Sequence, residues 1–242
     1  MKNRNAFFYI IIFLALLTVA ALIFLLAPGR DPETPAVHLS TPVPAEVSGS
    51  DNGQQPAAQA LAVTPDTVQT VIATLHRAES YSRRLAVRDF WSGGSRSRSI
   101  DVFARGGSVR LNIAAQGSSA EEHVLLRDGE KYLWYSDDSR VFRSTVRDGD
   151  EDAYQSILTY EKVLSLPVSD ILDAGYEDYE GTPCIFVRFR SGAPGYESVC
   201  WIDPAAGLLM GERCYDGETL IYSMDSSVPE ISTPDEALFA VP

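Results

Sequence analysis

An uninterrupted apolar run near the N-terminus limits this chain more than any other feature of its sequence. Residues 7–27 contain no charged side chain. A helix of that length, at ~1.5 Å per residue, covers the ~30 Å hydrocarbon layer of a bilayer. Lys2 and Arg4 precede the run, whereas residues 30–33 after it carry both signs of charge. By the positive-inside rule, residues 1–6 are expected in the cytoplasm, with a single-pass anchor in the cell membrane and the main domain extracytoplasmic.

A cleaved signal peptide is the alternative interpretation of this run, because a basic segment followed by an apolar one has the same pattern. Residues 19–21 offer small side chains for a cleavage site, but the apolar residues continue through Leu26. The run is therefore longer than the ~7 to 15 apolar residues of a typical signal peptide, which favours an uncleaved anchor. The first cysteine is Cys184, far beyond the run, so a lipid-modified cysteine is not the anchor.

The composition changes sharply after the apolar run. Residues 28–63 are rich in Pro, Ala, Ser, Gln and Gly, contain six prolines and show no periodic apolar pattern. Such a segment is typical of a disordered spacer, with an average reach of roughly 30 to 36 Å. Residues 28–63 are therefore predicted to tether one folded domain, residues 64–242, to the membrane.

The domain begins with a helix signal and continues with short alternating segments. Thr64 suits the N-cap and Pro65 the first helical position, and apolar residues recur at helical spacing through Leu75. A second helical stretch is expected within residues 148–164. The predicted strands are residues 81–91, 98–104, 108–114, 122–127, 131–135, 141–145, 171–179, 184–190, 197–202, 208–215 and 218–224. The fold class is α+β: a meandering antiparallel sheet that curves, with helices covering its concave face.

Charge excludes one class of partner and suggests another. Residues 64–242 carry 17 Lys and Arg against 29 Asp and Glu, a net charge of −12, which opposes nucleic-acid binding. Seven arginines nevertheless lie within residues 81–110. Arg83, Arg84 and Arg88 are therefore candidates for a surface that contacts an anionic lipid or a partner protein. The alternative is a solvated face neutralised elsewhere in the fold.

Catalytic and metal-binding motifs are absent from the sequence. There is no G-x-S-x-G nucleophile motif, no phosphate-binding loop and no G-x-G-x-x-G. The acids at 148, 150 and 152 alternate as in a calcium loop, but Ala153 and Thr159 replace the required Gly and Glu. We therefore expect no enzyme activity, no cofactor and no metal site.

Six apolar residues on predicted strands are candidates for the lining of a ligand pocket on the concave face. They are Trp91, Phe103, Leu111, Trp134, Phe186 and Trp201. The alternative is that they fill a single core. Cys184 and Cys200 could form a disulfide if they lie opposite each other on the two arms of a hairpin, although small buried thiols fit the spacing equally well.

The order of these segments resembles the periplasmic lipoprotein-carrier superfamily of the LolA, LolB and RseB type. The matching segments are the helix before residue 81 and residues 107–111, 127–135, 179–184, 201–204 with 207–208, and 233–235 with Phe239. The resemblance implies a half-open β-barrel of about 9–11 strands, with helices as a lid. It also implies an apolar surface that holds acyl chains or engages a partner protein, and no enzyme activity. This chain departs from those carriers in its predicted membrane helix.

The resemblance and the anchor together favour a membrane-anchored binding module for a lipid or a lipoprotein acyl chain, in lipoprotein sorting or envelope sensing. The alternative is an adaptor of the envelope, or of sporulation or germination, that binds a partner protein and no lipid. A hydrolase of envelope polymers is a third hypothesis, but the spacing of the carboxylates does not favour it.

Overall fold

The computed structural model describes residues 62–158, 160–192 and 195–242. The predicted cytoplasmic terminus at residues 1–6, the predicted anchor at residues 7–27 and all but the end of the predicted tether lie outside these residues. Within the described ranges, no helix is long and apolar enough to cross a membrane.

In the described part of the chain, eleven strands form one open antiparallel sheet, as the alternating pattern predicts. The strands are β1 Ser80–Trp91, β2 Gly94–Arg105, β3 Ser108–Ala115, β4 Glu122–Arg127, β5 Glu130–Tyr135, β6 Phe142–Thr145, β7 Ile171–Tyr179, β8 Thr182–Arg190, β9 Tyr196–Asp203, β10 Leu208–Asp216 and β11 Thr219–Ser226. The largest difference from the sequence-based bounds is in β2, which begins at Gly94 rather than at residue 98. The reason is that β1 and β2 continue to pair up to their connecting turn, where Trp91 lies opposite Gly94.

Two meanders meet in the middle of the sheet. The strand order is β6-β5-β4-β3-β2-β1-β11-β10-β9-β8-β7, so β1 and β11 join the halves while β6 and β7 are the free edges. Tight turns fix the register of neighbouring strands. Between β4 and β5, Asp128 and Gly129 both have positive φ, 53° and 74°, as a two-residue type I′ hairpin requires. The open sheet with few helices is consistent with the predicted half-barrel.

The helices are short. They are α1 Val68–Ile72, α2 Asp150–Gln155 and α3 Glu161–Leu164, with 3-10 helices at Val168–Asp170 and Glu236–Phe239. The predicted N-cap at Thr64 is wrong, because residues 64–67 form a turn in which the Thr64 N–H donates to Thr67 Oγ1 at 3.0 Å. Such a local side-chain bond competes with the first helical turn. Val68 and Ile72 are fully buried, as the apolar spacing predicts.

Alternation along the strands gives the sheet two faces. The core face carries Tyr81, Leu85, Val87, Ile100, Val102, Leu111, Val124, Ile185, Val187, Phe189, Cys200, Ile202 and Met224. The outer face carries Arg84, Phe103, Leu125, Trp134, Cys184, Phe186 and Trp201. Residues of α1 and α3 pack into the main apolar cluster of the core face. The prediction that helices cover one face of the sheet is therefore confirmed.

Candidate functional site

One connection lies across the core face. Residues 146–158 and 160–170, the covering segment, lead from edge strand β6 to edge strand β7 and contain α2 and α3. Val163 is fully buried and Tyr160 nearly so, and both belong to the main apolar cluster. Tyr154, Ile157 and Leu158 pack against the same cluster. The covering segment therefore supplies part of the core while belonging to no strand.

Polar side chains fasten the covering segment to the rest of the domain. Arg77 donates two hydrogen bonds to Asp152, at 2.9 and 3.2 Å. Further bonds run from Lys131 Nζ to Asp150 at 2.9 Å, from Gln69 Nε2 to the carbonyls of Val163 and Leu166 at 2.8 Å each, and from the Leu158 N–H to Glu212 at 3.0 Å. The Tyr222 hydroxyl also donates to the Ser156 carbonyl. None of these bonds belongs to a strand ladder.

Arg83 is the most buried of these polar attachments. Its side chain lies on the core face and donates to the Leu209 carbonyl at 2.8 Å and to Gln155 Oε1, in α2, at 2.6 Å. Within the part of the chain that the structure describes, Arg83 has no carboxylate within 4.0 Å and its Nε has no hydrogen-bond partner. Burial lowers the pKa of this guanidinium. Neutral acceptors alone thus hold a buried cation against the covering segment.

The expected surface of Arg83, Arg84 and Arg88 is therefore not a single surface. Arg83 is 6% exposed on the core face, while Arg84 and Arg88 are exposed on the outer face. Arg84 forms an ion pair with Asp101, at 2.5 Å. Consecutive residues of a strand point to opposite faces, and this separates Arg83 from its neighbour. The face on which Arg83 lies can be predicted from the sequence, since Arg83 alternates with the apolar residues Tyr81, Leu85 and Val87.

Glu212 is a second buried ionisable group on the core face. It is 3% exposed, and its carboxylate accepts the Leu158 N–H of the covering segment. Burial raises the pKa of Glu212 above its ordinary value. No sequence motif marks Glu212, because its role depends on the register that places it opposite Cys200 and Met224.

Clefts open at both ends of α2. A cleft of about 460 Å³ is lined by Arg77, Tyr81, Val109 and Glu151, and a cleft of about 280 Å³ adjoins it at Val109 and Glu151. At the opposite end of the strands, a cleft of about 310 Å³ lies beside α2 and is lined by residues that include Arg98, Ile113, Tyr135, Ala153 and Tyr154. Among the described residues, no three His, Cys, Asp or Glu side chains cluster as a metal site. The clefts give solvent access to both flanks of the covering segment.

The six pocket candidates do not lie together. Leu111 is fully buried on the core face, whereas Trp91 is 56% exposed at the end of β1. The other four, Phe103, Trp134, Phe186 and Trp201, lie on the outer face. The interpretation that all six line one concave cavity is therefore wrong, because aromatic residues occur on both faces and residue type alone does not assign a face.

The outer-face aromatics form two separate clusters. Trp134 packs with Leu125 and with Phe239 of the C-terminal 3-10 helix, and the Arg110 guanidinium lies 4.2 Å from the centre of its ring. On the other half of the sheet, the ring centres of Tyr179 and Trp201 are 4.7 Å apart, and those of Phe186 and Trp201 are 6.0 Å apart. The Trp201 cluster stays partly exposed.

Cys184 and Cys200 do not lie opposite each other, so the condition for a disulfide between them is not met. Cys200 lies opposite Val187, and Cys184 lies opposite Glu177. The two thiols also point to different faces of the sheet, and both are free. Burial raises the pKa of Cys184 to about 12. Both thiols pack as small buried side chains, which was the alternative from the sequence.

No protein-family model and no curated protein matches this sequence. Several solved structures are similar. MucB in complex with MucA(peri) is 14% identical, with 74% of this chain and 60% of that chain covered and a TM-score of 0.47. An uncharacterized conserved protein from Thermus thermophilus is 13% identical, with 73% and 94% covered and a TM-score of 0.49. The LolA superfamily protein NE2245 from Nitrosomonas europaea is 10% identical, with 74% and 99% covered and a TM-score of 0.36.

The chain is similar to proteins of the LolA, LolB and RseB type. The resemblance predicted from the order of its segments is thus confirmed. At identities of 10% to 14% the likeness concerns the fold alone, and it carries no conclusion about activity, ligand or partner. The chain spans 60% of the length of the MucB chain that it matches.

Proposed function

We propose that this domain is a membrane-anchored, extracytoplasmic binding module that accommodates an acyl chain of a lipid or lipoprotein between the core face and the covering segment. The observation that carries the proposal is the attachment of the covering segment. It buries apolar side chains against the sheet, yet side-chain bonds rather than a strand ladder fasten it there. Clefts on both flanks give an amphiphile two places to enter.

Exchange between the covering segment and an acyl chain is physically balanced. Outward movement of the segment removes Tyr160 and Val163 from the core and exposes the apolar residues of the core face. An acyl chain restores that apolar contact, with a contribution of ~0.8 kcal/mol for each buried CH₂. The released polar groups, such as those of Gln69 and Asp152, then bond to water at little net cost. The segment therefore closes the binding surface when no lipid is present.

Native mass spectrometry tests this function. Residues 62–242 contain all eleven strands and all three apolar clusters, so this part of the chain is suitable for the experiment. It is expressed with an export signal and purified without detergent, and its mass is measured under native conditions. We expect an added mass of one lipid. Gln69→Ala removes the bonds to two carbonyls of the covering segment and should raise the occupied fraction. Gln116→Ala, a control at the residue that follows β3, should leave the occupied fraction unchanged.

A protein mass without lipid, unaltered by Gln69→Ala and by incubation with phospholipid vesicles, would contradict acyl-chain binding. The second candidate function, an adaptor for a partner protein, would then be preferred. The partly exposed cluster of Phe186 and Trp201 on the outer face favours that function. Capture of an envelope protein by crosslinking should in that case be lost in Trp201→Ala and retained in Arg84→Ala.

A further inference from the structure

The hairpin of β1 and β2 extends beyond the strands that flank it. β11 pairs with β1 only as far as Asp89, and β3 pairs with β2 only from Arg98 onward. Between these limits the two strands pair with each other, up to the contact of Trp91 with Gly94, and one further backbone bond runs from the Gln116 N–H to the Ser97 carbonyl at 2.9 Å. The projecting part, residues 90–96, thus stands at the end of the sheet with solvent on both sides. Residues 88–98, the hairpin tip, comprise this part and the paired residues just behind it.

The hairpin tip carries two aromatic side chains at its extremity. Trp91 is 56% exposed, and its indole lies against Gly94, where an added Cβ would be 3.3 Å from the ring. Phe90 is partly exposed and points to the opposite side of the hairpin. A large exposed indole is costly in water but is favoured at the interface between lipid and water, because its apolar ring and its N–H both find partners there.

Two arginines lie behind the aromatic pair, and they are the free charges of the hairpin tip. Arg88 shares a side of the hairpin with Phe90, and Arg96 shares a side with Trp91, as alternation and the strand register require. Both are exposed, and within the described residues neither has a carboxylate within 4.0 Å. Arg98, by contrast, neutralises Asp89 with an ion pair of 3.1 Å.

The spacing along the hairpin matches the depth profile of a bilayer surface. At ~3.3 Å per residue, each arginine lies roughly 6 to 7 Å behind the aromatic residue on its own side. The aromatic rings therefore reach the boundary of the hydrocarbon while the guanidinium groups remain at the level of the phosphates. Arg88 and Arg96 carry two positive charges at the end of a domain whose net charge is −12. The two free charges of the hairpin tip therefore favour contact with an anionic surface.

We propose that the hairpin tip docks on an anionic lipid bilayer, with Trp91 and Phe90 in the interface and Arg88 and Arg96 on lipid phosphates. This inference does not rest on acyl-chain binding. The neighbouring turn between β10 and β11 carries Asp216 and Glu218, so docking is confined to the hairpin tip and stays reversible. A docked hairpin tip holds the domain in one orientation on the membrane, with the core face at a fixed distance from the bilayer surface.

Quenching of tryptophan fluorescence by brominated acyl chains tests the docking. The full chain is reconstituted into vesicles of phosphatidylcholine alone, or with about a quarter phosphatidylglycerol, in normal and brominated forms. Trp91→Phe leaves Trp134 and Trp201 as the remaining tryptophans, and its quenching gives the background. We expect quenching above this background in anionic vesicles, and less of it in neutral vesicles or at high salt.

Charge-removing variants give the decisive comparison. Each arginine near an anionic membrane contributes about 1 kcal/mol, so Arg88→Gln with Arg96→Gln should lower the ratio of docked to undocked protein roughly thirtyfold. Arg140→Gln with Arg190→Gln removes two charges from exposed residues at the same end of the sheet and should leave quenching unchanged.

Two outcomes would overturn the docking proposal. The first is wild-type quenching no greater than that of Trp91→Phe, which would leave a protein partner as the ligand of the hairpin tip. The second is equal loss of quenching in the two double variants, which would show that membrane contact depends on the net charge of the domain and not on Arg88 and Arg96. Neither outcome bears on lipid retention beneath the covering segment, which native mass spectrometry measures separately.

Discussion

Two neighbouring arginines should differ widely in their effect on stability. Arg83→Ala removes a guanidinium that donates to Leu209 and Gln155 from a site that is 6% exposed. Arg84→Ala removes an exposed side chain whose ion pair with Asp101 is open to solvent. From the sequence, both residues are candidates for the same surface, whereas the structure places them on opposite faces of the same strand. The comparison therefore tests the assignment of the core face.

The expected loss of stability in Arg83→Ala follows from the two hydrogen-bond acceptors that lose their donor. The fully buried Gln155 Oε1 and the Leu209 carbonyl each lose a hydrogen bond, at about 1 to 3 kcal/mol for each unsatisfied group. Removal of a buried cation that has no ion-pair partner offsets part of this loss. We expect a decrease of about 2 to 5 kcal/mol in the free energy of unfolding. For Arg84→Ala we expect no resolvable change, because exposed ion pairs contribute little.

Urea and thermal unfolding of residues 62–242 measure both variants. For a domain of this size, the loss in Arg83→Ala corresponds to a melting temperature lower by roughly 5 to 15 °C. Arg83→Lys should recover only part of it, since an ammonium lacks the planar fork that reaches both acceptors. Equal stability of Arg83→Ala and Arg84→Ala would refute the placement of Arg83 beneath α2, and with it the attachment of the covering segment.

Three further predictions concern other buried groups. Gly211→Ala places a Cβ 2.3 Å from the Tyr179 ring and should cost about 1 to 3 kcal/mol in urea unfolding, whereas Gly175→Ala, which meets nothing within 4 Å, should change stability by less than about 0.5 kcal/mol. Burial raises the pKa of Glu212, so the folded state keeps this proton to higher pH than the unfolded chain does. Wild-type stability should therefore fall relative to Glu212→Gln as pH rises above the ordinary glutamate pKa, and parallel pH profiles would contradict this. Cys200 is fully buried with a raised pKa, so it should resist alkylation until the domain unfolds, and rapid native labelling would contradict its position.

The strands could be predicted from the sequence because their signal is local. Alternating apolar residues and turn dipeptides such as Asp128-Gly129 lie within a few residues of one another, and the structure confirms every predicted strand. α1 was predicted too long, since the Thr64 and Thr67 side chains form a turn that composition does not reveal.

The candidate site could be predicted less well, because it depends on contacts between distant parts of the chain. Gln155 meets Arg83 across 72 residues of sequence, and Leu158 meets Glu212 across 54. Aromatic residues occur on both faces, so Trp134 and Trp201 do not indicate which face is the core face. The alternation of Arg83 with apolar neighbours is a sequence signal that places this arginine on the core face.

The most direct test of the account is the position at which an acyl chain meets the protein. The full chain is illuminated with a diazirine-bearing fatty acid, and labelled residues are identified by tandem mass spectrometry. We predict adducts on core-face residues such as Ile185 and Val187 and on the apolar residues of the covering segment. Adducts confined to outer-face residues such as Phe186 and Trp201, or no specific adducts, would contradict acyl-chain binding beneath the covering segment.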